Sequence, residues 1–264
     1  MKQEEKKTHL LKVGDSIMFS PSGIDYSFEK GITYEPKYDK YTEQISLIRG
    51  KKLQLPEKLY IPNGDDRFMN RVLKTYEDSS KSIGVLLTGT KGTGKTVMAK
   101  VIASKSNLPI IIADPKMSVT ALKTLFSRLS DSNVCVIFDE FDKLGEDYCS
   151  DYLLQFIDGI STSGKHLILF TCNDTEKINS YMIDRCGRIR YCREFKELSA
   201  NMITELLKDR LNDKSEIGYL TDFILANFKL ASFDNVASFV DEINRYPNDT
   251  FEELFDNMNI SSKN

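Results

Sequence analysis

Two histidines, five cysteines with no C-x-x-C pair, no long apolar run and no excess of either charge mark what this chain does without. His9 and His166 lie far apart, one on a polar tail and one entering an apolar run, so a zinc site has no support. The cysteines (135, 149, 172, 186, 192) are odd in number, and three sit in or beside apolar runs. That pattern reads as reduced thiols in a cytoplasmic protein and not as a disulfide frame. The longest apolar runs, such as Val134–Phe138 and Leu167–Phe170, fall far short of the roughly 20 residues a membrane span needs. With 36 basic against 39 acidic side chains, a net charge of −3, the chain is not built chiefly to coat a polyanion. The opening stretch MKQEEKKTHLLK is charged and lacks the apolar segment of a secretory signal, which again points to the cytoplasm. No repeat with a period of 20–50 residues is visible, which excludes solenoids and propellers.

What is present is enough apolar mass for a core: 264 residues, 41% hydrophobic and 28% charged. Three regions differ in texture. Residues 1–59 carry tyrosines 26, 34, 38 and 41 and short β-prone stretches, and Ile45–Arg49, Gly50-Lys51 and Lys52–Leu55 read as a small hairpin. Their 11 basic and 9 acidic side chains are too even for a nucleic-acid patch. Residues 60–195 alternate helical stretches with apolar runs at Ile83–Thr88, Pro109–Ala113, Val134–Phe138, Leu167–Thr171 and Ile189–Cys192. Runs apolar on both faces, separated by helices, predict an α/β fold with a parallel sheet flanked by helices. Residues 196–264 lose the β-runs. Helical spacing predicts helices from Ser199 to Leu211, Ile217 to Phe228, Ser232 to Tyr246 and Thr250 to Met258, an all-α lid.

The first core strand runs into Gly89-Thr90-Lys91-Gly92-Thr93-Gly94-Lys95-Thr96, and a helical stretch beginning at Val97 follows. This is G-x-x-x-x-G-K-[ST] in its proper setting, strand before and helix after. Glycines let backbone N–H groups converge on phosphate oxygens, and the helix N-terminus adds a positive dipole end. Lys95 would reach the β- and γ-phosphates of ATP, and the Thr96 hydroxyl would ligate Mg²⁺. The buried run Val134–Phe138 ends in Asp139-Glu140. An acid at a strand tip near such a loop can hold Mg²⁺ through water, the role given to Asp139. The next carboxylate points differently and can take a proton from an attacking water, which makes Glu140 the candidate general base.

Leu167–Thr171 continues to Asn173, whose amide could orient the lytic water but could equally be a turn residue. Farther on come Arg185 and Arg188, whose planar forks suit charge spread over phosphate oxygens, although alone they read as a basic surface patch.

Taken together these residues resemble the AAA+ ATPases, and within them the AAA branch. The loop and Asp139-Glu140 match that family's Walker A and Walker B motifs, FTCND matches sensor 1, and Arg185-Cys186-Gly187-Arg188 matches its arginine-finger box. Tyr152–Ile160 is similar to the helix before sensor 1 in the branch containing the mitochondrial bc1-complex assembly ATPase. The resemblance covers about residues 60 to 245. It implies a P-loop NTPase sheet with a helical lid, a ring of usually six subunits, and Arg185 and Arg188 acting on a neighbour's nucleotide. It also places Tyr60 and Ile61 over the adenine, although Tyr60 could as easily be a core residue. Three departures stand out. Ala113–Thr120 has no aromatic–apolar–Gly pore loop, no lid arginine stands at Ser232–Asn235, and Cys186 replaces the finger-box proline.

The function expected is a Mg-ATP-hydrolysing ring that remodels an unidentified protein client, with residues 1–59 as specificity appendage and no membrane contact. Two other classes compete. A nucleic-acid-associated ATPase of helicase-loader type would want a basic, aromatic-interleaved face, which the balanced charge opposes. An ATP-dependent scaffold with little turnover would not need Glu140 or the arginine pair.

Overall fold

The computed structural model describes residues 9–20, 27–60, 65–114, 117–143, 164–174 and 189–263. Nine strands form one sheet: β1 (His9–Val13), β2 (Ser16–Ser20), β3 (Ile32–Asp39), β4 (Gln44–Lys52), β5 (Ile83–Gly89), β6 (Ile110–Ala113), β7 (Cys135–Phe138), β8 (Leu167–Cys172) and β9 (Ile189–Phe195). Their order across the sheet is β1-β2-β4-β3-β6-β7-β8-β5-β9. The helices among the described residues are α1 (Asp65–Asp78), α2 (Lys95–Lys105), α3 (Val119–Leu129), α4 (Ala200–Arg210), α5 (Ile217–Asn227), α6 (Phe233–Arg245) and α7 (Phe251–Asn257). A 3₁₀ turn spans Phe141–Lys143.

The central strands follow from their composition. Every residue of β7 and β8 is buried, as is β5 up to Thr88, which is what a parallel strand covered on both faces requires. β6, β7, β8 and β5 pair in parallel, with Phe138 opposite Phe170 and Thr88 opposite Cys172. The expected runs coincide with these strands to within one residue. β9 runs three residues beyond its apolar run, to Phe195, because exposed side chains such as Arg190, Cys192 and Glu194 alternate with inner ones there.

The first four strands belong to the same sheet. β1–β2, β2–β4 and β3–β4 are antiparallel, and β3 then joins β6 in parallel through Thr33–Ile110 and Tyr34–Ile111. Ile17, Tyr34, Ile45 and Leu47 share one apolar core with Leu86, Ile111, Leu125, Phe126 and Phe138. Burying aliphatic or aromatic side chains of this size stabilises by about 1.5–3 kcal/mol each. α3 contributes Ala121, Leu122, Leu125, Phe126 and Leu129, a helical stripe started by Ser118, whose hydroxyl accepts from the Ala121 N–H.

The hairpin expected at Gly50-Lys51 is not there. β4 runs straight through both residues, and the turn lies at Lys40–Glu43. Asp39 Oδ1 accepts from the Tyr41 and Thr42 N–H groups, and Glu43 takes a left-handed φ of 54°. Gly50 serves a different purpose. A Cβ there would lie 2.4 Å from the Thr33 hydroxyl, which donates to the Lys51 carbonyl at an irregular register between β3 and β4.

Two compact units divide the described residues. The first contains Met1–Pro56, Arg67–Thr88 and Thr96–Arg193, the second Glu57–Asp66, Gly89–Lys95 and Glu194–Asn264. The first holds the sheet core described above. In it Lys165 caps the end of α1, its ammonium donating to the carbonyls of Tyr76 (2.6 Å), Ser79 (2.9 Å) and Glu77 (3.3 Å). The core of the second unit is helical, built from Leu198, Ile203, Leu207, Leu220, Ile224, Phe228, Val236, Phe239, Val240 and Leu254 among others. Its helices start where capping residues dictate. Ser199, Ser232 and Thr250 each accept from a first-turn N–H, and Thr250 forms a reciprocal capping box with Glu253. All four helices expected after residue 196 are present. The architecture is α/β: a largely parallel sheet flanked by helices, with C-terminal helices and a β-rich N-terminal segment, as in P-loop NTPases.

Candidate active site

Strand β5 ends at Gly89 and helix α2 begins at Lys95, so the glycine-rich loop occupies the turn between them. Gly89, Gly92 and Gly94 take φ values of 132°, 74° and 99°, which side-chain-bearing residues rarely adopt. A tight turn in which left-handed residues alternate with others can aim its backbone N–H groups into one concavity. The loop is folded on itself: the Thr93 hydroxyl donates to the Thr90 carbonyl at 2.8 Å, and Lys95 Nζ donates to the same oxygen at 2.6 Å. Lys95 is only 6% exposed, a strongly hydrated cation held in a shielded place. Lys91 is exposed in the loop, and Val97 follows Thr96 in the first turn of α2.

Helix α6 meets this loop within the second unit. The Phe233 N–H donates to the Gly92 carbonyl at 2.9 Å, and a Cβ on Gly92 would meet Asp234 Oδ2 at 2.9 Å and Ser232 Oγ at 3.0 Å. The Phe233 ring lies 3.5 Å from where a Cβ of Gly94 would be. Tyr60 packs against that ring, centroids 5.7 Å apart, and its hydroxyl donates to Asp209 Oδ2 at 2.8 Å. Lys58 pairs with the same carboxylate. Burial, then the bond to Asp209, raises the Tyr60 pKa, and the bonds from Lys58 and Tyr60 lower that of Asp209. Phe233 was not anticipated from the sequence, where an aromatic residue opening a helix reads as core.

The acidic strand end lies in the first unit. Phe138 and Phe170 stack at 5.2 Å, and buried Phe141 packs edge-on against Phe170 at 4.9 Å, which pins the chain just beyond β7. Between them stand Asp139 and Glu140. Asp139 Oδ1 accepts from the Thr96 hydroxyl at 2.8 Å and from the Thr171 hydroxyl at 2.6 Å. Thr171 Oγ1 in turn accepts the Glu140 N–H at 2.8 Å, and Glu140 holds a left-handed φ of 53°. The Glu140 carboxylate pairs with Lys143, three residues on, and that hydrogen bond raises the Lys143 pKa. The Asn173 N–H donates to Asp142 Oδ1 at 3.0 Å, which ties the residue after β8 to the turn after β7. Thr171, Asp142 and Lys143 were missed at the sequence level. The one available signal was a hydroxyl inside the otherwise apolar strand LILFTC.

Cys172 sits as a structural thiol at the end of β8. Burial pushes its pKa up to about 12, and its Sγ donates to the Asp174 carbonyl. Among the described residues no cluster of three or more His, Cys, Asp or Glu side chains could hold a metal. The Thr96 hydroxyl and Asp139 carboxylate, two hard oxygen donors already within hydrogen-bond reach, do fit Mg²⁺, which keeps most of its shell as water and phosphate. Ile61, Arg185, Cys186, Arg188 and the Tyr152–Ile160 segment lie outside the described residues. Within Ala113–Thr120, Met117 is buried and Ser118 caps α3.

Residues 85–194 match the AAA family, the ATPase family associated with various cellular activities. A putative 26S proteasome regulatory subunit homolog of Methanocaldococcus jannaschii is 26% identical over 223 residues, covering 70% of this chain and 58% of its own. The nuclear valosin-containing protein-like protein of Mus musculus is 34% identical over 125 residues, 40% of this chain and 14% of that one. An ATP-dependent zinc metalloprotease of Synechocystis is 27% identical over 153 residues, 52% of this chain and 24% of that one. The chain thus spans little more than half of the first of these relatives and a quarter or less of the others. The glycine-rich loop and the acidic end of β7 both fall inside the matched segment. Residues 85–194 thus carry the signature of an AAA ATPase domain, and the chain's similarity is to the AAA+ ATPase superfamily.

Proposed function

We propose that this chain binds Mg-ATP at the Gly89–Thr96 loop, hydrolyses it, and uses the energy in a ring of subunits to remodel a protein partner. The observation that carries the reading is the hydrogen-bonded set Thr96–Asp139–Thr171–Glu140, which places a hydroxyl, a carboxylate and a second carboxylate-bearing residue at adjacent parallel strand ends. Ligands of α/β sheets bind outside the carboxyl ends of such strands. Similarity to a family named for its ATPases supports the same chemistry.

The loop amides and Lys95 neutralise phosphate charge. Mg²⁺ bound by Thr96 and, through water, by Asp139 would draw off charge from the β- and γ-phosphates. Glu140 takes the proton from the attacking water, and Asn173 orients that water. Val97 backs the loop in the first turn of α2, and Tyr60 and Ile61 cover the base. Arg185 and Arg188 of a neighbouring subunit stabilise charge developing in the transition state, a role worth about 10³–10⁵ in rate where it has been measured. The ring, its six-fold size and the protein client rest on the family's habits and on relatives described as a proteasome regulatory subunit homolog and a valosin-containing protein-like protein. No described helix is long and apolar enough to cross a membrane.

The test is Glu140→Gln. The variant should bind ATP with near wild-type affinity and turn over about 10²–10⁴ times more slowly, the range for losing a general base. Undiminished turnover would remove Glu140 as the base.

A further inference from the structure

We infer that Thr171 is a positioning residue that sets the metal-side carboxylate and the catalytic base together through one hydroxyl; the inference rests on reading Asp139 and Glu140 as those groups. Thr171 sits one residue beyond the Phe138–Phe170 pair of the β7–β8 ladder, so its Cα is level with Asp139. It is 1% exposed, and its polar atom is fully committed. The single hydroxyl hydrogen goes to Asp139 Oδ1 at 2.6 Å, and the oxygen accepts the Glu140 amide at 2.8 Å. A valine in this place would fill the same volume and do neither.

The two bonds have different consequences. Asp139 Oδ1 takes both the Thr171 and the Thr96 hydroxyls, so the carboxylate is fixed from two sides. With its hydrogen engaged on Asp139, the Thr96 oxygen keeps its lone pairs for a cation. The Glu140 amide bond does something else. A left-handed non-glycine residue persists only where its surroundings hold it. Here the holds are the Thr171 oxygen on its N–H, the Lys143 N–H on its carbonyl at 2.9 Å, and buried Phe141 next in the chain. Removing the first leaves the Glu140 N–H without its acceptor and frees the backbone from which the base projects.

The end of β8 thus grips the turn after β7 at two points, Thr171 on Asp139-Glu140 and the Asn173 amide on Asp142. Only the second point lies in the residue that the family pattern singles out. The first is the better buried and touches both acids.

The test uses the full chain with Thr171→Val, Thr171→Ser and Thr171→Ala. Three quantities are read: kcat and KM for ATP, the Mg²⁺ concentration for half-maximal binding of mant-ATP, and hydrogen exchange at the Glu140 amide. Thr171→Val should lower kcat about 10- to 100-fold with little change in KM, in line with the loss of a hydrogen bond to a charged group. It should also raise the Mg²⁺ midpoint several-fold and speed exchange at Glu140 while amides of β5 stay protected. Serine should restore all three. If the valine variant does not fold, the serine–alanine pair makes the same comparison.

Wild-type kcat, Mg²⁺ midpoint and Glu140 exchange in Thr171→Val would overturn the inference. So would a loss that serine fails to repair, because then the methyl packing and not the hydroxyl matters. Glu140→Gln measured alongside separates the two layers. If it turns over normally the base assignment is wrong, yet the Mg²⁺ midpoint and the Glu140 amide still decide whether Thr171 positions this turn.

Discussion

Gly89→Ala is the substitution on which the loop geometry can be judged most sharply. The residue has φ 132°, and a Cβ built on it would lie 2.0 Å from the Phe195 carbonyl oxygen, 2.9 Å from its carbon and 3.1 Å from its nitrogen. These are backbone atoms at the end of β9, with no flexible side chain to swing aside. A side chain in that backbone conformation costs about 1–3 kcal/mol, and forcing atoms into a filled site adds about 1–3 more. The total is roughly 2–6 kcal/mol. At about 2–4 °C per kcal/mol for a chain near this size, melting should fall by roughly 5–20 °C. Gly14→Ala supplies the control. Its φ is 61°, but nothing lies within 4 Å of the added carbon, so only the left-handed cost of about 1–2 kcal/mol applies. Calorimetry gives the two melting temperatures, and mant-ATP titration of the folded fraction gives the affinity. Gly89→Ala should lose both stability and nucleotide, and Gly14→Ala a little stability only. An alanine at 89 that melts and binds like wild type would refute the close approach and, with it, the shape assigned to the loop.

Three further outcomes follow from the same geometry. Burial lowers the His166 pKa to about 4 from an unfolded value near 6.5, so the unfolded state gains a proton first as pH falls. Its stabilising effect is complete above about pH 6.5 and is lost progressively down to about pH 4, by at most about 3 kcal/mol. Denaturant midpoints at pH 7, 5.5 and 4.5 should show that decline, and His166→Gln should flatten it. Lys165→Met keeps the apolar stem and removes the ammonium from three carbonyls at the end of α1 and from the Tyr76 ring, 4.4 Å away. It should lower stability by about 1–3 kcal/mol, read as a melting shift, and no shift would show that the cap contributes nothing. Lys143→Met frees the Glu140 carboxylate from a well-exposed partner. Because such pairs are worth about 0.2–1 kcal/mol, kcat should change by no more than about fivefold, and a larger change would make Lys143 part of the reaction itself.

Much of the placement of the candidate site was legible because a strand, glycine-rich loop and helix in succession demand residue types at fixed spacing. Gly89, Gly92, Gly94, Lys95, Thr96 and Asp139 could be placed on a strand, a loop and a helix start from the sequence. The C-terminal helices were legible for a local reason too: Ser199, Ser232 and Thr250 announce their starts, and apolar spacing gives their extents. What was not legible is long-range. Nothing in Ile32–Asp39 says that it will lie parallel to Ile110–Ala113, because such pairing depends on which edge is open once the other strands have formed. Gly50 was misread for a related reason. Glycine within a β-prone run suggests a turn, whereas here it makes room for a hydroxyl on the neighbouring strand.

Thr171 shows why the supporting residues of a site escape sequence reading. In an apolar run a threonine is a good strand former, and its β-branch alone explains its presence. Its role comes only from register. Slip β8 by one residue against β7 and either Phe170 or Cys172 stands level with Asp139, while the Thr171 hydroxyl passes to the opposite face of the sheet. The carboxylate would then lose one of its two hydroxyl donors and the Glu140 amide its acceptor. Register in turn is held by Phe138, Phe141 and Phe170, which touch no reacting group. The motif residues therefore specify which chemistry is possible, and the aromatic packing beneath them specifies whether the two acids stand where that chemistry needs them.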